Sequence, residues 1–427
     1  MHLERVLIVV GQRSQHDRNY PGCDQRHLEG PLRCSDMVDN VDVFYYSDYP
    51  PNCDEALINY CLQKKPQAVL LSLQNIGLVG ASFTAVRKEG EPTPNGLGKI
   101  THQLGIPTAA VWGDIHAESI AEILERYLHS VTLNVIWGAD TSSHKTLPLE
   151  GTNYVYTGVT FDERLFNIPE GVRDMPVGFH GSLSRNRPQW VAGLIKLGIP
   201  LYTANGKLFQ GKRPSDNSTP IWVPYEEYYR YMSRLKIVLN FSALTAKPNY
   251  QPVVSPAKER VLQALWWPRI KRAYSGVKLI MSAWKNPVPA VRHIISVLRT
   301  PAPADTTRYQ VRSRIWEAFW LRTFLLEEDN PITSLYFEPY VDYVPFTTLQ
   351  DLVDKIRYYL ENDEERDRIR MQGRTTVEKY YNARINWENL FEALGIQSDG
   401  QHQHHPGEIW NKAYFHNRYF SNTSMVK

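Results

Sequence analysis

Short, continuous apolar runs alternating with amphipathic helical segments are the feature that most restricts the fold of this chain. In the first part of the sequence these runs lie at Val6–Gly11, Val43–Ser47, Ala68–Leu73, Thr108–Asp114, Leu133–Gly138 and Tyr154–Gly158. Continuous runs rich in β-branched residues are typical of strands buried on both faces of a parallel sheet. Between them, Asp54–Lys64 and Ala117–Ser130 carry apolar residues at helical spacing. The order predicts βαβ units and a doubly wound α/β domain.

The same alternation starts again near Pro176 and predicts a second α/β domain. Its strands are predicted at 177–181, 199–204, 237–241 and 323–326, and its helices at 188–197, 225–236, 311–321 and 349–360. We expect a first domain over 1–170, a second over 171–380, a closing helix over 381–395 and a fraying tail over 396–427. Two such domains place the carboxyl ends of their strands on either side of a cleft, where ligands bind.

Composition and spacing exclude several classes of protein. A formal net charge of +3 over 427 residues argues against a chain that binds a polyanion with its whole surface. No apolar run approaches the roughly 20 residues that cross a bilayer. The four cysteines form no Cys-x-x-Cys pair, which disfavours zinc and favours reduced thiols in a cytoplasmic protein. No Asp-x-Asp motif occurs, so we expect neither a metal site nor a cofactor.

A basic, aromatic segment interrupts the second domain and predicts an insertion over about 255–305. Between Lys258 and Arg299 it carries nine Lys or Arg residues against one acid, and tryptophans are interleaved among them. An ordinary surface or oligomer contact explains such a run. Docking on an anionic membrane also fits, because tryptophan and positive charge favour the interface, and it would place the protein at the inner face of the membrane. Nucleic-acid binding is disfavoured because no recognised module accompanies the segment.

The segment Arg312-Ser313-Arg314-Ile315-Trp316-Glu317 carries the strongest local signal for a ligand site. On a helix, Arg314 and Glu317 are three residues apart and share a face. A carboxylate there can accept both hydroxyls of a ribose, and an arginine can hold a diphosphate with two hydrogen bonds. An exposed helical ion pair is the alternative explanation.

Three further residues at strand ends are candidates for the site. Gly181 would let backbone N–H groups approach a phosphate, although a simple tight turn explains it equally well. Asp114 and His116 follow a buried strand of the first domain, where either could deprotonate an acceptor hydroxyl. Asp114 could instead cap the next helix, and the two roles can coexist. The glycine loop at 94–99 lacks the upstream glycine and the Ser/Thr of a P-loop.

These motifs resemble the donor-site region of GT-B glycosyltransferases, and the closest type is the bacterial spore-maturation-like glycosyltransferases. The matching segments are 179–182, 233–241, 312–318, 323–330, 336–339, 351–360 and 387–391. The resemblance implies two Rossmann-like domains facing a cleft, with the nucleotide-sugar donor on the second and the acceptor on the first. It also implies that the helix near 386–394 crosses back onto the first domain.

The resemblance assigns roles to individual residues of the second domain. Glu317 would contact the ribose and Arg314 the diphosphate, while Arg312 stands where the family usually has lysine. Lys236 and Asn240 would border the same pocket. Trp320-Leu321-Arg322 occupies the stretch where the family often has a small residue and glycine, so Arg322 is expected to narrow the pocket, to add a phosphate contact, or to mark a changed site.

The resulting functional hypothesis is a metal-independent glycosyltransferase. Arg312, Arg314 and Lys236 would stabilise the diphosphate that leaves as the glycosidic bond breaks. The acceptor is a glycan, a lipid-linked glycan, a protein or a small molecule, and no nucleic-acid partner is expected. A sugar-nucleotide epimerase of the same fold and a non-catalytic nucleotide-sugar or membrane adaptor remain as alternatives.

Overall fold

Two parallel sheets organise the chain, as the strand–helix alternation predicts. The computed structural model describes residues 1–10, 25–49, 53–72, 92–112, 127–137, 152–181, 187–203, 208, 224–242, 309 and 311–396. Asp114 and His116, the predicted insertion at 255–305 and the tail after residue 396 lie outside the described residues. The predicted class, two α/β domains with parallel sheets, is confirmed.

The first sheet has six parallel strands among the described residues, in the order β2-β1-β3-β4-β5-β6. Their bounds are β1 Leu3–Val10, β2 Val38–Tyr45, β3 Ala68–Ser72, β4 Thr108–Trp112, β5 Leu133–Trp137 and β6 Tyr154–Thr157. Strands β3, β4 and β5 are buried along their whole length, which explains their continuous apolar sequence.

The second sheet has five parallel strands in the described part of the chain, in the order β11-β10-β9-β7-β8. Their bounds are β7 Met175–Phe179, β8 Leu201–Tyr202, β9 Leu235–Asn240, β10 Phe324–Glu328 and β11 Val344–Phe346. Because all five run the same way, their carboxyl ends lie along one edge. Phe179, Asn240 and Glu328 end three adjacent strands at that edge.

Helices connect and cover the two sheets. The described α-helices are α1 Gly30–Cys34, α2 Cys53–Lys64, α3 Pro94–Gly98, α4 Arg187–Lys196, α5 Tyr225–Ser233, α6 Ser313–Trp320, α7 Thr333–Tyr336, α8 Leu349–Glu361, α9 Asp363–Tyr380 and α10 Ala383–Ala393. Short π-helical turns lie at Gln25–Glu29 and Lys99–Gln103, and 3₁₀ turns at Tyr46–Asp48 and Glu163–Phe166. The glycine loop of the sequence analysis is therefore α3, whose first turn is capped by Thr93.

Helix α10 packs on the first sheet although it lies at the end of the described chain. Its Trp387 and Phe391 belong to the same buried cluster as Val6 and Ile8 of β1. Burying a large aromatic side chain contributes about 1.5–3 kcal/mol, so this helix ties the end of the second domain to the first.

Buried aromatic rings join the two domains. The Phe166 ring of the first domain lies 4.6 Å from the Tyr229 ring and 6.0 Å from the Trp320 ring, centre to centre, and both of those belong to the second domain. All three residues lie in one hydrophobic cluster that includes residues of both sheets. The carboxyl edge of the second sheet therefore meets the first domain through a packed contact.

Candidate functional site

Three predicted donor-site residues converge at the carboxyl edge of the second sheet. Gly181 lies two residues beyond β7, Asn240 ends β9, and Arg314 lies in the first turn of α6. Arg314 Nη1 donates a hydrogen bond to Asn240 Oδ1 at 2.9 Å. The guanidinium also lies 5.4 Å from the centre of the Phe179 ring. The site therefore has one arginine held between two strand ends.

Gly181 is required by the close approach of Arg314. A Cβ atom at this position would lie 2.6 Å from Arg314 Nη2, and the backbone φ is +146°. Both observations exclude ordinary L side chains without rearrangement. The glycine thus allows a close contact between the backbone after β7 and a cationic side chain.

Glu317 is buried in a polar cluster that spans the two domains. It is 3% exposed, and its carboxylate accepts hydrogen bonds from Arg26 Nη1 at 3.1 Å and from the Tyr228 hydroxyl at 2.9 Å. The Tyr229 hydroxyl is 3.5 Å away. Burial and the charge of Glu317 raise the pKa of both tyrosines well above the usual range, so both remain donors. A ribose contact at Glu317 would require these partners to move.

Arg26 is a site residue that sequence reasoning missed. It comes from the first domain, its side chain is 11% exposed, and its guanidinium lies 3.9 Å from the centre of the Tyr225 ring. The pair with Glu317 joins residues 291 positions apart in the chain, so no local spacing pattern indicates it. The part of this cluster that a sequence pattern can show is the group of aromatic residues at helical spacing in α5, namely Tyr225, Tyr228 and Tyr229.

Lys236 lies away from the group formed by Gly181, Asn240 and Arg314, whereas Arg312 is next to it in the chain. Lys236 is the second residue of β9, four residues before Asn240, so it lies about 13 Å away along the strand at the opposite edge. The structure therefore does not bring Lys236 into the group formed by Gly181, Asn240 and Arg314. Arg312 is the N-cap residue of α6, next to the turn that carries Arg314.

Arg322 lies at the other end of α6 from Arg314, about 12 Å along the helix axis. It therefore neither narrows the Arg314 site nor adds a phosphate contact there. Its φ is +53°, and its N–H donates to the carbonyl of Phe319 as the helix ends. Glycine is the usual residue in this left-handed position at the end of a helix.

Replacing Arg322 with glycine is expected to raise the free energy of unfolding by about 0.5–1 kcal/mol, because the strain of an L residue in this conformation exceeds the entropy cost of glycine. The carbonyl of Arg322, which accepts from Arg173 Nη2 at 2.8 Å, is unaffected by the change. Urea denaturation measures the difference. The matched control, Arg322→Ala, removes the charge and keeps a Cβ. A glycine variant no more stable than the alanine variant contradicts the explanation.

A buried carboxyl network lies beside this site on the neighbouring strand, and sequence reasoning missed it. Glu327 of β10 pairs in register with Asn240 and is fully buried. Its Oε1 accepts hydrogen bonds from the hydroxyls of Ser242 and Thr333, the latter at 2.8 Å. Burial raises the pKa of Glu327 to about 7, although these hydrogen bonds oppose the rise. Its members come from different segments of the chain, so the apolar pattern of one strand does not predict the network.

Two searches of the described residues bear on metals and membranes. Within those ranges, no group of three or more His, Cys, Asp or Glu side chains could hold a metal ion. Among the same residues, no helix is both long enough and apolar enough to span a bilayer.

Comparisons with known proteins extend these observations. The profile of a family described as glycosyl transferase-like matches residues 263–392, and no curated protein is significantly similar in sequence. Crystal structures of HepE from Anabaena, in complex with UDP-glucose and with UDP and glucose, give TM-scores of 0.52 and 0.51 at 10% identity, and the alignments cover 93% of this chain and 100% of theirs. A putative UDP-N-acetylglucosamine 2-epimerase from Listeria monocytogenes gives a TM-score of 0.45 at 10% identity, and the alignment covers 93% of this chain and 99% of that one.

At these identities the structural similarity establishes the fold alone. The comparisons do not support the narrower spore-maturation-like subtype. They do support the broader expectation of a GT-B glycosyltransferase on two independent grounds. The first is the sequence profile over 263–392, and the second is the two-domain superposition. The chain has the GT-B fold of two facing α/β domains, and its second domain contains a glycosyl transferase-like segment.

Proposed function

We propose that this chain is a glycosyltransferase that moves a sugar from a nucleotide-diphosphate sugar to an acceptor hydroxyl. The observation that carries the proposal is the convergence of Gly181, Asn240 and Arg314 at the carboxyl edge of the second sheet. Ligands of doubly wound sheets bind at that edge. A uridine diphosphate sugar is the first donor to test, because HepE of the same fold was crystallised with UDP-glucose.

Arg314 is the residue best placed to stabilise the leaving diphosphate. Negative charge develops on that group as the glycosidic bond breaks, and a preorganised guanidinium in a largely buried site lowers the energy of this charge. Asn240 fixes the guanidinium from one side. Arg312, two residues earlier at the N-cap of α6, is proposed as a second cation, whereas Lys236 at the amino end of β9 is not part of this arrangement. In this proposal no metal ion is needed for the phosphates.

The remaining roles are also proposals. Glu317 would bind the ribose after Arg26 leaves its carboxylate. Asp114 or His116, which follow β4 in the sequence, would activate the acceptor hydroxyl. Docking of the basic segment 258–299 on an anionic membrane is a separate proposal, which co-sedimentation with anionic vesicles tests.

A thermal-shift screen with UDP, GDP, ADP, CDP and dTDP tests the donor class. A ligand that binds the native state alone raises the melting temperature, by an amount that grows with its concentration above the Kd. We expect one nucleoside diphosphate, UDP first, to raise it. No shift with any of the five at millimolar concentration contradicts the proposal.

Replacing Arg314 with methionine is expected to weaken binding of UDP about tenfold to a hundredfold, because a hydrogen bond to a charged group contributes about 1.5–3 kcal/mol. Methionine keeps an apolar stem and removes the cation. The matched control is Arg234→Met in the same domain, where Arg234 pairs with Asp174 at an exposed position. Isothermal titration calorimetry measures both variants. Equal UDP affinity in the Arg314 variant and the control contradicts the assignment of Arg314.

Product analysis separates the proposed transferase from its alternatives. A transferase releases the nucleoside diphosphate only as sugar passes to an acceptor or to water. An epimerase converts the donor with no acceptor present, and an adaptor binds the donor without turnover across a donor panel.

A further inference from the structure

His180 is a buried histidine whose ring has no hydrogen-bond partner. It directly follows β7 and precedes Gly181, at the edge where the candidate donor site lies. The residue is 2% exposed. Within the described structure, neither Nδ1 nor Nε2 of its ring is hydrogen-bonded. A polar group taken out of water without a partner opposes folding, so such a residue requires an explanation.

The surroundings of His180 are cationic and aromatic. Burial, and secondarily the charge of Arg314, lower the pKa of His180 to about 3. The ring is therefore neutral at ordinary pH and offers one N–H donor and one acceptor nitrogen. The His180 ring meets the Tyr228 ring nearly at a right angle, with 4.9 Å between centres, and the Tyr228 hydroxyl already donates to Glu317.

Arg314 has an unused donor in the same place. Its Nη1 bonds Asn240, but its buried Nε likewise has no hydrogen-bond partner. The ring N–H of His180 and the Nε–H of Arg314 are thus two buried donors, and neither is bonded to an acceptor. Oxygen atoms of an anion supply what both lack. A simple core histidine would instead have its nitrogens bonded to neighbouring protein groups.

We propose that His180 donates its ring N–H to a phosphate oxygen of the donor's diphosphate, beside Arg314. This inference rests on the proposed function, and it adds a side-chain contact that the sequence motifs did not assign. The buried position then has a reason: the ring is kept in place, unbonded, for a ligand that enters between it and the guanidinium. Stability is given up at this position in return for binding.

The test compares His180→Leu and His180→Gln with the unaltered protein, using UDP and inorganic pyrophosphate as probes in calorimetry. Leucine fills a similar volume without a donor, so we expect it to weaken both probes by the same factor, about tenfold to a hundredfold. Glutamine keeps a donor and is expected to bind both within about threefold of the unaltered protein. The melting temperature of the leucine variant is expected to be equal or higher, because leucine removes the unpaired polar group.

Each outcome decides the inference. Unchanged affinity of the leucine variant for both probes overturns it, and so does a loss for UDP alone, which would place the effect away from the diphosphate. If the leucine variant does not fold, the ring ¹⁵N signal of His180 in the unaltered protein, assigned with His180→Gln, replaces it; a signal unmoved by pyrophosphate overturns the contact. Unaltered protein that binds pyrophosphate but no nucleoside diphosphate refutes the proposed function, and the pyrophosphate affinity of His180→Leu then tests the phosphate contact of His180 separately.

Discussion

Replacing Glu317 with alanine is expected to lower the free energy of unfolding by about 3–5 kcal/mol, the usual cost of removing one partner of a buried ion pair. The change leaves the guanidinium of Arg26 without this carboxylate, at a position where the arginine side chain is 11% exposed. It also takes away the acceptor of the Tyr228 hydroxyl. Because Arg26 belongs to the first domain, the loss falls on the contact between the two domains.

Urea denaturation followed by tryptophan fluorescence measures this effect. The matched control is Asp174→Ala, which removes the acid of an exposed pair with Arg234, a change expected to cost less than about 1 kcal/mol. A double variant with methionine at both 26 and 317 is expected to regain most of the loss, since no charge is then left buried. If Glu317→Ala costs no more than the control, the pair is not a buried ion pair in solution.

This result would change how nucleotide binding by Glu317 variants is interpreted. A ribose contact at Glu317, which the resemblance implies, would by itself lead one to expect that an alanine variant binds nucleotide more weakly and keeps its fold. The structure shows that the same carboxylate contributes to the packing of the two domains. Weaker binding by Glu317→Ala therefore does not by itself demonstrate a ribose contact, and affinity has to be compared among variants of equal stability.

The interior of each sheet could be predicted from sequence because burial on both faces imposes a simple pattern. The bounds predicted for β4 and β9 agree with the observed ones within two residues. The edge strand β2 was predicted to begin at Val43 but begins at Val38, because its first residues are partly exposed and include Asp39 and Asn40. An edge strand does not need a continuous apolar sequence.

Helix α9 was not predicted, and the reason is physical. The segment Asp363–Tyr380 is rich in charged residues, with few apolar residues to mark a buried face. Its buried positions include Arg366 and Arg370, whose guanidinium groups bond the carbonyls of Tyr359 and Arg322. Long side chains that bury an apolar stem and bond backbone carbonyls do not appear in a hydrophobic pattern.

Within the site, sequence identified residues at strand ends better than contacts between distant segments. Asn240 ends β9 and Gly181 lies just beyond the end of the neighbouring β7, so parallel topology alone brings them to one edge. Lys236 lies on the same strand as Asn240 but near its amino end. A match to a sequence motif does not show that the two side chains are therefore at opposite ends of the strand. Arg26 enters through tertiary packing with Glu317, which no single segment of sequence encodes.

The stability of the protein is expected to depend on pH through Glu327, and Glu327→Gln is expected to remove that dependence. Burial raises the pKa of this carboxyl from its ordinary value near 4.5 to about 7 in the folded state. Between these values the folded protein binds more protons than the unfolded chain, so stability falls as pH rises. The difference between the two pKa values corresponds to roughly 3 kcal/mol of stability, and this stability is fully lost above about pH 7.

Glutamine can keep the hydrogen bonds that Glu327 Oε1 accepts from Ser242 and Thr333, because its carbonyl oxygen can take that place. Its amide then lies on the side of Oε2, which has no partner in the described structure. Urea denaturation at pH 4 and pH 8 is expected to show equal stability of variant and unaltered protein at the lower pH. At the higher pH we expect an advantage of about 2–3 kcal/mol for the variant.

The matched control, Glu361→Gln, changes an exposed glutamate at the end of α8 and is expected to have the same effect at both pH values. This control measures the effect of removing a carboxylate at an exposed position. An advantage of Glu327→Gln that is the same at pH 4 and pH 8 would mean that Glu327 ionises alike in the folded and unfolded chains. A carboxyl that behaved so would be hydrated, and the strand end beside Asn240 and Arg314 would then be open to water rather than closed as the structure has it.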